Sequence, residues 1–121
     1  MSSKVIPVLG AIILLGVIVN VALGFSVAAG YQYLRYMHIG IGYTGLILVL
    51  LAAILGWRRW GRVPHRNVVS ITVVLILAIL QVYLGTQIVT APTQILISLH
   101  EVTAFLLLIS VVATAVLTSR R

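Results

Sequence analysis

Three ionisable side chains lie inside apolar runs of this sequence, where ionisation is so costly that such residues usually face a bundle interior and mark a site. His38 stands in YMHIGIGYTGLILVLLAAILGW and His100 in QILISLHEVTAFLLL, where it is followed by Glu101, the only acidic residue of the chain. Neutral imidazoles ligate metals, and a carboxylate beside one could ion-pair, carry protons or stay protonated. His65 differs, lying among arginines in WRRWGRVPHRN, where it reads as a solvated residue.

What must position these groups follows from composition. Of 121 residues, 62% are hydrophobic and 7% charged, against roughly 45–50% apolar in soluble domains. An integral membrane protein is therefore expected, and long unbroken apolar runs select helices over a barrel. Four spans of the required length of about 20 residues fit, at about 5–29, 36–56, 68–90 and 93–117. The first is too long for the apolar region of a signal peptide, about 7–15 residues. Short links favour one all-α domain, residues 1–121, an antiparallel bundle of four transmembrane helices. Asn20 is expected to make an interhelical hydrogen bond.

The formal charge of +7 falls almost wholly at the ends of the spans and signals topology, not nucleic acid. Arginine-rich loops stay cytoplasmic, so Lys4, the loop with Arg58, Arg59, Arg62 and Arg66, and the tail Arg120 and Arg121 share that side. Both termini are then cytoplasmic, and the connections at Arg35 and Pro92 lie outside. Trp57, Trp60 and the tyrosines of GYQYLR supply interfacial aromatics.

On this topology His38 and His100 enter from the outer face at similar depth, on two helices that run in the same direction and can be diagonal neighbours. That arrangement suits two axial ligands of one heme iron. Gly42 and Gly45, four and seven residues after His38, share its face and clear room for a flat ring. Ala104 does the same after His100. Arg35, near the outer end of the second span, is either the partner of a heme propionate or an interfacial arginine that snorkels to the surface. Without cysteine there is no thiolate site, disulfide or c-type attachment, so the heme would be noncovalent.

At these residues the sequence resembles the heme A synthase family, whose longer members have two similar four-helix halves with a histidine on the second and fourth helix of each. The segment LQVYLGTQIVTAPTQILISLHEVTAFLLL, Leu80 to Leu108, is similar to the third and fourth helices of the heme b half, and His38 followed by glycines and WRR is similar to its second helix. The resemblance implies His38 and His100 as axial ligands. The family's catalytic half carries a glutamate three residues before the second-helix histidine, a position held here by Arg35, and many members carry an outer-loop cysteine pair that this chain lacks.

The expected function is thus a bis-histidine heme b protein of a prokaryotic plasma membrane, with its site toward the outer face. It would serve electron transfer or heme handling, as a homo-oligomer or as a small subunit of a respiratory oxidase or related complex. One alternative is a compact heme A synthase that converts heme O to heme A as a homo-oligomer, with Glu101 as the catalytic carboxylate. Another is a small dimeric multidrug exporter, which would need a carboxylate on the first helix, where this chain has none. The plainest is a structural subunit whose histidines only form hydrogen bonds.

Overall fold

A stretch that is apolar on every side has no face to present to water, and in lipid its backbone must satisfy itself as a helix. The computed structural model describes residues 5–59 and 61–119. It contains four such helices: α1 (Val5–Ala28), α2 (Arg35–Trp57), α3 (His65–Thr90) and α4 (Gln94–Ser119), with a 3-10 turn at Gln32–Leu34 leading into α2. The shortest has 23 residues and at 1.5 Å per residue rises about 34 Å, more than a hydrocarbon core of about 30 Å. All four are long and apolar enough to cross a membrane. The chain is a multi-pass, all-α membrane protein.

Each helix packs against its chain neighbours, α1 closes the ring against α4, and the two remaining pairs, α1 with α3 and α2 with α4, lie on the diagonals. The expected four-helix bundle is what the structure contains. Its boundaries agree with the expected ones to within two residues except at one place. α3 begins at His65, three residues before the expected start, because Pro64 (ψ 134°) is extended and His65, Arg66 and Asn67 form a polar first turn. His65 is exposed, but on a helix and not in a loop. The expectations for Lys4, Trp60, Arg120 and Arg121 lie outside the described residues.

The connections are tight for local reasons. α1 ends where Gly30 takes φ +107°, with Gly30 N–H donating to Val27 O and Tyr31 N–H to Ser26 O, both at 3.0 Å. This is the double bond of a Schellman cap, which favours glycine at the left-handed position. At the other turn on this end, Thr93 Oγ1 accepts from Leu96 N–H at 3.2 Å and caps α4.

The interior has two storeys. Toward the arginine-rich end, Leu9, Ile13, Val49, Ala53, Val74, Leu75, Ala78, Leu107 and Val111 form a wholly apolar core. Toward the tyrosine-rich end, polar side chains take over. Ala53 has no exposed surface at all, so Ala53→Leu is expected to overpack the lower storey and cost about 1–3 kcal/mol, read as a lowered melting temperature of the purified protein.

Candidate functional site

The upper storey is built from one polar residue or more on every helix. His38, in the first turn of α2, reaches across to α1, where its Nδ1 lies 3.0 Å from the backbone oxygen of Asn20. A carbonyl can only accept, so Nδ1 carries the proton and Nε2 the lone pair. One turn further along α1, Gly24 lets the ring lie close. A Cβ there would stand 3.0 Å from His38 Cε1 and 3.5 Å from Nδ1.

His100, two turns into α4, leans on α3 in the same manner. Its Nε2 lies 3.2 Å from Gln81 Nε2, and Thr103 Oγ1 donates to Gln81 Oε1 at 2.6 Å. The Thr103 hydroxyl also lies 2.8 Å from Leu99 O, so its single proton is shared between two acceptors. Gly85, one turn after Gln81, gives the ring its room: a Cβ there would stand 3.3 Å from His100 Cε1. The other ring nitrogen, His100 Nδ1, is buried without a hydrogen-bond partner, as is Asn20 Oδ1.

Across the diagonal the two imidazoles meet, their centroids 6.1 Å apart and their planes at 88°. Two imidazoles on opposite sides of one metal at about 2.0 Å metal–nitrogen distance have centroids roughly 6 Å apart. The crossed planes make an edge-to-face contact. Among the described residues no group of three or more His, Cys, Asp or Glu side chains comes together. Among the described residues the site therefore brings together two imidazoles and no third His, Cys, Asp or Glu side chain.

The other expected site residues are placed as follows. Gly42 backs the Asn20 amide, whose Nδ2 lies 3.4 Å from where its Cβ would be, so the room it provides is taken by a side chain of α1. Gly45 borders a groove between α1 and α2 that it shares with Gly16 and Gly40. Ala104 and Glu101 are half-buried on α4, and Arg35 is exposed at the start of α2.

Gly24, Gly85 and Thr103 had no place in the sequence reading, and Asn20 and Gln81 had none in the site. A signal for most of them exists. On each helix a polar residue is followed four positions on by a small one: Asn20 and Gly24, His38 and Gly42, Gln81 and Gly85, His100 and Ala104. Residues at that spacing share a helix face, so every helix presents one polar group and one gap to the same storey.

Comparison with protein-family models, curated proteins and solved structures gives no match for this chain.

Proposed function

We propose that this protein binds one heme b between His38 and His100 and serves electron transfer or heme handling in a prokaryotic plasma membrane, where it resembles half of a heme A synthase. The observation that carries the reading is the meeting of the two imidazoles at 6.1 Å inside the bundle. A bare metal ion held structurally takes about four protein ligands, and two are at hand. A heme would bring the remaining iron ligands itself and would need only His38 and His100 from the chain.

Heme, when bound, supplies a one-electron redox centre. What the chain's residues do is hold and orient. The Asn20 carbonyl fixes the proton of His38 on Nδ1, the second-sphere bond that typically sets a ligating imidazole's tautomer. With His38 and His100 both holding it, a heme would supply outer-sphere electron transfer and not oxygen activation. The half-buried Glu101 has no assigned part in this chemistry. The arginine-rich loop is read as cytoplasmic, which puts the histidine storey near the outer face.

The test is a reduced-minus-oxidised spectrum with pyridine hemochrome analysis of protein purified from its native membrane. One b-type heme per chain is expected, and His100→Ala is expected to abolish the low-spin six-coordinate spectrum. Bound heme O, or heme A formed on co-expression with a heme O source, would replace the electron-transfer role with the synthase. A colourless protein would leave the histidines a structural role only.

A further inference from the structure

The two histidines are held differently, and the difference makes them unequal as ligands. His38 is gripped at Nδ1 by a carbonyl oxygen, which leaves its Nε2 lone pair available. His100 is gripped at Nε2 itself, by the Gln81 side chain. When Thr103 donates to Gln81 Oε1, the amide turns its N–H groups toward His100 and caps the Nε2 lone pair. With the amide reversed, His100 would donate a proton from Nε2 to Gln81 and have no lone pair there at all. In either orientation Gln81 occupies the nitrogen that corresponds to the one His38 keeps available.

The rest of the surroundings increase the contrast. His38 is pinned to α1 by its hydrogen bond and by close approach to Gly24. His100 has its remaining nitrogen, Nδ1, buried with no partner, so no hydrogen bond holds that side of its ring. Swinging back onto Gln81 therefore restores a hydrogen bond to His100, whereas swinging His38 away would break one.

Resting on the heme reading above, we propose that His38 is the resident axial ligand and His100 the exchangeable one, with Gln81, oriented by Thr103, as the positioning residue that sets how readily His100 gives way to a small exogenous ligand. Gln81 stabilises the released imidazole by one neutral hydrogen bond. Removing that bond should strengthen His100 as a ligand by roughly fivefold to tenfold.

The experiment compares full-length wild type with His38→Gly, His100→Gly and Gln81→Leu. The readouts are heme per chain, carbon monoxide affinity of the reduced protein and 15N resonances of the heme-free imidazoles. His38→Gly is expected to lose heme at least tenfold. His100→Gly is expected to keep it with a five-coordinate spectrum. Equal losses from the two variants, or loss from His100→Gly alone, would overturn the proposal. Gln81→Leu preserves side-chain size and, folded by circular dichroism, is expected to bind carbon monoxide roughly fivefold to tenfold more weakly than wild type; unchanged affinity overturns the role of Gln81. In the heme-free protein the same substitution should move the His100 resonances and leave those of His38 in place. Unmoved His100 resonances defeat the Gln81 contact whether or not heme is bound, while a wild-type hemochrome without heme defeats the heme reading and this proposal with it.

Discussion

Gly24→Leu is expected to abolish binding of the proposed heme, whereas Gly16→Leu, two turns back on the same helix, is expected to leave heme content near wild type. The two positions receive the same side chain on the same helix, so differences in helix propensity cancel. What differs is the space. A Cβ at Gly16 meets nothing within 4 Å, whereas one at Gly24 stands 3.0 Å from His38 Cε1 and 3.6 Å from Nε2, the nitrogen proposed to hold the iron. Alanine at Gly24 asks the ring to yield by a few tenths of an ångström. Leucine would need the volume the imidazole fills. The ring cannot yield freely, because its Nδ1 is tied to the Asn20 carbonyl one turn away on α1. Overpacking costs about 1–3 kcal/mol, and leaving the carbonyl and the N–H unpaired adds about 1–3 kcal/mol. Several kcal/mol is a large share of a typical folding free energy of about 5–15 kcal/mol. The measurement is heme per chain by pyridine hemochrome, with thermal unfolding followed in parallel. Heme retained at wild-type stoichiometry in Gly24→Leu would show that the close approach of His38 to α1 is not needed for binding.

Gly24 lies against His38 whereas Gly42, on the helix of His38 itself, lies against Asn20, and this difference separates what could be read from the sequence from what could not. The spans were legible because each is apolar on all sides, and the depth of the two histidines followed from counting residues from the outer connections. The start of α3 was not, since His65, Arg66 and Asn67 carry no apolar signal although Pro64 launches the helix before them. For the site, residue spacing identifies which groups share a face of one helix, hence Gly42 and Gly45 beside His38. It does not identify which face of a neighbouring helix they meet. The room for each imidazole comes from that neighbour, Gly24 on α1 for His38 and Gly85 on α3 for His100. The same holds for their hydrogen-bond partners. Asn20 is conspicuous as a polar residue in a span, but it is its backbone oxygen that holds His38, and no backbone group is marked in a sequence.

Reversing the charge asymmetry of the connections is expected to yield a population inserted in both orientations. The proposed topology would put Lys4, Arg58, Arg59, Arg62, Arg66, Arg120 and Arg121 on the cytoplasmic side and Arg35 on the other, seven basic residues against one. Inverting the protein would carry a net six positive charges outward against the potential, about 14 kcal/mol at 100 mV, which favours a single orientation. Replacing the four loop arginines with glutamine and Tyr31, Gln32 and Tyr33 with lysine changes the balance to three against four. All three outer positions are exposed, so the lysines meet water and leave the interior unchanged. The chain contains no cysteine, so a single reporter thiol at His65→Cys or Ala91→Cys labels without background. In wild type an impermeant maleimide should reach the thiol at position 91 in intact cells and not the one at position 65; in the recharged protein each should label in part. Orientation also decides where the proposed redox centre faces. His38 lies three residues beyond Arg35, and an impermeant reductant added outside should reduce the heme of wild type fully and of the recharged protein only in part. Uniform labelling from the arginine-rich side in wild type would invert the assignment and move the histidine storey to the inner face of the membrane.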